Sequence, residues 1–157
     1  MKERNRTWTM LFWVYIILLL IVVVIKFQGS FQELAERIES SRQQLWRVNL
    51  VPFASIRTQL NHMTQWWAVE NIVGNIVCFI SWGFLMPLAY PNVRYFGRTF
   101  GIALAGILAI EVFQMLTGLG AFDVDDILLN MLGAMCGYGL WKIWQRWRGK
   151  FKREKEQ

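Results

Sequence analysis

An all-α bundle of four membrane-spanning helices, forming one domain over residues 1–157, is the fold class this sequence predicts. Three observations lead to it. The charges are segregated: none falls between Arg6 and Lys26, between Glu70 and Arg94, or between Asp126 and Lys142, and Glu111 is alone between Thr99 and Phe122. Each clean run approaches the roughly 20 apolar residues a helix needs to cross a hydrocarbon core. The runs are continuous, which excludes the alternating pattern of a barrel, and helices and barrels are the structures that satisfy their backbone in lipid. The composition agrees, with 55% hydrophobic residues, 15% aromatic residues and nine Trp.

The first span covers about 7–26. A basic start before an apolar run also marks a signal peptide, but Lys26-Phe27-Gln28-Gly29-Ser30 offers no small-x-small cleavage site, so the run reads as an uncleaved anchor. The segment 27–69 follows outside the membrane. Ser30 and Glu33 have the spacing of a capping box. Phe31, Leu34, Ile38 and Leu45 recur at helical spacing, which predicts an amphipathic surface helix. Asn49-Leu50-Val51-Pro52-Phe53 breaks it, because Pro cannot continue a helix. Asn61-His62-Met63 reads as a loop, and His62, without a second His or a Cys nearby, as a solvated loop residue. Trp66 and Trp67 mark the entry of the second span, about 70–91, as interfacial aromatics do. The third and fourth spans cover about 98–119 and 124–144, and a basic tail covers 145–157.

Orientation follows from the basic residues. With the amino terminus inside, twelve of the 17 Lys and Arg residues are cytoplasmic, which predicts a multi-pass protein with both termini in the cytoplasm. The formal net charge of +6 then reflects topology and attraction to an anionic inner leaflet. Trp141, Trp144 and Trp147 between the basic residues form an interfacial belt, so nucleic acid is not an expected partner. Cys78 and Cys136 read as buried free thiols. Gly133 and Gly137 form a GxxxG pair, and Gly97, Gly101, Ala105 and Ala109 a small-residue stripe. Both predict close helix contacts.

Three spans carry polar residues that lipid penalises. Asn71 and Asn75 lie four apart, Glu111 and Gln114 three apart, and Asp126 and Asn130 four apart, with Asp123 and Asp125 just before. Each pair shares a helix face. In the predicted topology all lie in the outer half of the membrane, at ~1.5 Å of rise per residue. Asn71 alone reads as a packing lock. Glu111 with Asp123 and Asp126 reads as a functional site, because a charge within a span costs roughly 2.5–3.5 kcal/mol on insertion scales. Carboxylates this close suit a proton-sharing pair, a divalent-ion site or a clamp on a cationic ligand. No Ser-His-Asp set, phosphate loop or His-rich metal motif is present, and no cofactor is indicated.

These same blocks resemble a known family. Asn49-Leu50-Val51-Pro52-Phe53, Asn71-x-x-Gly74-Asn75, Glu111-x-x-Gln114, and Phe122-Asp123-Val124-Asp125-Asp126 with Asn130, Gly133 and Gly137 look like the VanZ-like family, over about Asn49 to Tyr138. The resemblance implies a small bacterial plasma-membrane protein, in a family named for a member linked to resistance to teicoplanin, a lipoglycopeptide. It implies no reaction. The first functional expectation is therefore a protein that acts at the outer leaflet and lowers susceptibility to lipoglycopeptides through an outward-opening polar pocket of Glu111, Gln114, Asp123, Asp126, Asn130, Asn75 and Asn71. The alternative is an enzyme on a lipid or lipid-linked precursor headgroup, with the carboxylates as general acid and base or holding magnesium or calcium. No nucleophile supports it. Membrane lipids are the expected partners, a lipoglycopeptide or lipid-linked precursor is the candidate ligand, and the oligomeric state is open.

Overall fold

The computed structural model describes residues 6–25, 48–117 and 119–154. Among the described residues five α-helices dominate: α1 (Arg6–Ile25), α2 (Ala54–Asn61), α3 (Trp66–Ala89), α4 (Phe96–Thr117) and α5 (Val124–Glu154), with a 3-10 turn at Pro91–Val93. Two short strands, β1 (Val48–Asn49) and β2 (Phe122–Asp123), pair in parallel, Val48 opposite Phe122 and Asn49 opposite Asp123. The all-α expectation is thus amended by one two-residue bridge. The expected surface helix through Phe31, Leu34, Ile38 and Leu45 lies outside the described residues.

Three helices are long and apolar enough to cross a membrane: α1 over Arg6–Val23, α3 and α4. In α5, Asp125, Asp126 and Asn130 fall in the first two turns, and Lys142 begins a basic stretch. The helix has the length of a span without the sustained apolar character, so among the described residues three qualifying helices stand where four spans are expected. The helix also continues through 145–154, past the predicted end of the span.

Helix α1 is apolar all round, as a helix between protein and lipid should be. One stripe, Thr9, Phe12, Leu19 and Val23, is buried at spacings close to multiples of a helical turn, while Met10, Trp13, Ile17 and Leu18 on the other faces are exposed. The buried stripe packs antiparallel to α3. The Thr9 hydroxyl donates to the Ala89 carbonyl at 3.4 Å, and the Tyr15 hydroxyl to the Cys78 carbonyl at 2.9 Å. Between those ends, Phe12 meets Trp82 and Tyr90 edge-on, with ring centroids 5.7 and 5.8 Å apart, and Phe79 stacks on Trp82. Edge-to-face pairs add about 0.5–1.5 kcal/mol each beyond the area they bury.

The closest helix pair is α3 with α5, and glycines make it so. A Cβ on Gly133 would stand 2.1 Å from the Ile76 carbonyl oxygen, and one on Gly137 2.0 Å from that of Ile80. The expected GxxxG contact is real, and Gly83 on α3 answers it against the Ala134 carbonyl. Ile76 with Gly133 and Ile80 with Gly137 advance together, so α3 and α5 run parallel. Helix α4 runs the other way. The turn before it is tied to α5 by the Tyr138 hydroxyl, which donates to the Arg94 carbonyl at 2.8 Å. The small-residue stripe of α4 is a correction: Gly97 and Gly101 meet open space, and Ala105 and Ala109 are exposed. Cys136 is another, since it is exposed on α5, and Cys78 is only half-buried. Neither forms a disulfide. This arrangement brings the carboxyl ends of α1 and α4 and the amino ends of α3 and α5 to one end of the bundle.

Candidate functional site

Two acidic groups at that end have separate jobs, although the sequence places them side by side. Asp123 immediately precedes α5, where four backbone N–H groups need partners. Its Oδ1 accepts from the Asp125 N–H at 2.9 Å and from Asn49 Nδ2 at 3.1 Å, and its Oδ2 from the Ser55 hydroxyl. Asp123 is therefore the N-cap of α5 and also holds β1 and the first turn of α2. Asp125 is fully buried, and its two oxygens accept from the Phe53 N–H at 2.6 Å and the Ile56 N–H at 3.0 Å. A capping box normally needs two residues of the helix it caps to satisfy these two donors. Here one carboxylate from α5 does both for α2, whose own N-cap, Phe53, has no side-chain acceptor and sits in the left-handed region at φ 66°. A non-Gly residue there costs about 1–2 kcal/mol, and the contacts to Asp125 offset it. Neither Asp123 nor Asp125 lines the cavity next door.

That cavity has a volume of about 350 Å³, at the lower end of the range for ligand sites. Its walls come from all four long helices. The apolar lining consists of Leu19, Val22 and Val23 of α1, with Phe79 of α3 and Ile110 of α4. The polar side holds Asn71 and Asn75 of α3, Glu111 and Gln114 of α4, and Asp126 and Asn130 of α5. Six of the seven residues singled out from the sequence thus meet around one space, and Asp123 stands outside it at the helix cap. It stays coupled to the cavity through its backbone, since its N–H donates to Glu111 Oε2 at 3.3 Å.

The polar side is cross-braced. Asn75 Nδ2 donates to Asp126 Oδ1 at 2.7 Å, and Asn71 Nδ2 reaches the same oxygen at 3.4 Å. Asn71 does bridge two helices, as its reading as a lock requires, but it does so on the cavity wall. Glu111 and Asn130 are almost wholly buried, at 2% and 3% exposure. The Asn130 Oδ1 is buried without a hydrogen-bond partner among the described residues. Glu70, which reads in sequence as a charge at the mouth of the second span, also lines the cavity. A signal for it existed: Glu70, Asn71, Gly74, Asn75 and Cys78 form one continuous stripe of α3, and extending the Asn71–Asn75 pair back by one residue includes it.

Among the described residues the lining contains three carboxyl groups, Glu70, Glu111 and Asp126, four amides, and no Lys, Arg or His. Among the described residues no group of three or more His, Cys, Asp or Glu is arranged to hold a metal ion. The site thus offers carboxyl and amide groups from α3, α4 and α5, and hydrocarbon from α1.

Comparison with known proteins gives two matches and one absence. The family model described as VanZ/LLP1 matches residues 12–145, which takes in α3 and α4 whole and most of α1 and α5. "Protein VanZ" of Enterococcus faecium is 22% identical over 129 residues, covering 82% of this chain and 70% of that protein. No solved structure matches.

Proposed function

Because the chain belongs to the VanZ/LLP1 family, we propose that it works as VanZ-type proteins of the bacterial envelope do, at the outer leaflet of the plasma membrane, lowering susceptibility to acylated glycopeptides such as teicoplanin. The observation that carries the reading is the cavity: polar side chains from three helices converge on a space whose fourth wall is apolar. A lipoglycopeptide, or the lipid-linked precursor it depends on, joins a polar head to a hydrocarbon tail. A cavity with polar groups from three helices and hydrocarbon from α1 matches that division.

In this reading α5 is the fourth span. Its acidic first turns sit at the membrane surface with α2, and its basic end extends past the far interface. Both termini are cytoplasmic, and α2 with the cavity end faces outward. The twelve basic residues on the inner side support this orientation. In a variant with Cys78 and Cys136 replaced by Ser, Cys introduced at Asn61 reacts with an impermeant thiol reagent in intact cells, and Cys introduced at Gly149 does not. The reverse pattern overturns the orientation.

The functional test is expression in a host sensitive to acylated glycopeptides. The reading predicts a raised inhibitory concentration for teicoplanin relative to an empty vector, with the Enterococcus relative as positive control. An unchanged value beside a working control refutes it. The alternative, an enzyme on a lipid headgroup, needs a nucleophile or an activated water, and among the described residues the polar lining consists of carboxyl groups, amides and the Cys78 thiol. Turnover of a cell-wall lipid precursor by the purified protein would favour it.

A further inference from the structure

We infer that the segment from Leu50 to Trp67 is a lipid-facing wedge, with its apolar side chains seated in the headgroup–acyl boundary of the leaflet at the cavity end. On the orientation proposed above that leaflet is the outer one, and the seating is the same on either side. Exposure is the observation that carries it. Leu50, Val51 and Phe53 are 66%, 64% and 65% exposed. Leu60, Trp66 and Trp67 are exposed as well. Large apolar side chains left uncovered together in one short stretch mark a surface that meets something other than water.

The backbone of the turn is satisfied from the protein side, which leaves those side chains outside. The N–H groups of Phe53 and Ile56 donate to Asp125 at 2.6 and 3.0 Å, and the Val51 N–H donates to Asn49 Oδ1 at 3.1 Å. Phe53 is held at φ 66°, in the left-handed region that a residue with a side chain rarely adopts. Strain of this kind persists where the surrounding contacts determine it. Here those contacts fix a turn that presents hydrocarbon.

The level of the turn says what covers it. Ile76 lies against Gly133 and Ile80 against Gly137, so α3 and α5 keep one register. Carried back by the eight residues that separate Ile76 from Ala68 and Gly133 from Asp125, that register sets Asp125 level with the first turn of α3. Helix α3 is apolar enough to cross a membrane from Trp66 onward, and Trp is a residue type that settles at the lipid–water boundary. The turn bonded to Asp125 stands at that same boundary. Val73 and Val77, further along α3, are exposed too, so uncovered apolar surface continues from the wedge into the depth of the span. Phe53, Arg57 and Leu60 share one face of α2 by their spacing. Arg57 is exposed between them, and a guanidinium on an apolar stem suits lipid phosphates at this level.

The test uses the full chain in nanodiscs of phosphatidylethanolamine and phosphatidylglycerol. Cys78 and Cys136 are replaced by Ser, and one introduced Cys, at Val51 or at Leu60, carries a nitroxide. The same label at Val77 gives the value for lipid, and at Gly149, on the basic end of α5, the value for water. Collision of the label with oxygen, which concentrates in hydrocarbon, is compared with collision with a water-soluble nickel chelate. The expected oxygen-to-nickel ratio at Val51 and at Leu60 lies nearer that of Val77 than that of Gly149. Both positions are exposed, so either label should leave the fold intact. A ratio equal to that of Gly149 at either site overturns the inference, because the segment then faces water. Low collision rates with both reagents also overturn it, because protein then covers the site, and dipolar broadening between labels would identify that protein as a second copy. The two reagents report depth and not sidedness, so the result is independent of the orientation and of the susceptibility test.

Discussion

Asp123, Asp125 and Asp126 fall within four consecutive positions, and the fold gives each a different environment. Asp123 caps α5, Asp125 is buried against the backbone of α2, and Asp126 takes the amides of Asn75 and Asn71 on the cavity wall. Helical rotation of about 100° per residue separates Asp125 from Asp126, so adjacent carboxylates face different neighbours. A prediction follows for the one furthest from the cavity's chemistry. Asp125→Ala removes both acceptors and leaves two backbone N–H groups at the start of α2 without a partner, at a cost of about 2 kcal/mol. Its unfolding midpoint in detergent should drop clearly, and that of Asp125→Asn, which keeps one acceptor, should drop less. An unchanged midpoint for the Ala variant would mean that α2 does not depend on this contact.

Helix pairs obey a rule that the composition of each helix alone does not reveal. Gly133 and Gly137 are at the α3–α5 contact, and Gly97 and Gly101, with the same spacing, face open space. The GxxxG pattern shows that a backbone can approach closely, and the partner's geometry decides whether it does. Ala favours a helix over Gly by about 1 kcal/mol, so at an open position the substitution is neutral to stabilising. At Gly133 or Gly137 the added Cβ would stand about 2 Å from a carbonyl oxygen, and the helices must separate. Gly101→Ala is therefore expected to purify like the wild type. Gly133→Ala and Gly137→Ala should lose folded, monodisperse protein on size-exclusion chromatography. Equal recovery of all three would contradict the packing of α3 on α5.

Across the whole molecule, what was legible in the sequence was what depends on local spacing. The apolar runs of α1, α3 and α4 are uninterrupted, and Glu111 with Gln114, Asn71 with Asn75, and Asp126 with Asn130 each occupy one helix face, so their convergence could be anticipated. What was missed depends on distant partners. Helix α2 is short and polar, and its first turn is completed by Asp125, 72 residues beyond Phe53. The β1–β2 bridge joins two-residue strands that have no pattern of their own. Glu70 resembles an interfacial charge in sequence, and its place in the cavity lining depends on helices far from it in the chain. Helix α5 shows the converse: the polar residues that make it useful to the site also lower its apolar character below that of the other three.

On the proposed function, the buried polar face is a binding site and not only a fastening between helices. Glu111→Gln and Asp126→Asn test it most directly, because each keeps the shape and an acceptor while removing the charge. If these groups only fasten helices, the change costs little, since interhelical hydrogen bonds in membranes average about 0.6 kcal/mol. The measurement is the teicoplanin inhibitory concentration of a sensitive host expressing each variant, with folded protein quantified in the same membranes. Both variants should accumulate at wild-type levels and return the host to the susceptibility of the empty vector. Wild-type protection by both, at equal abundance, would contradict it.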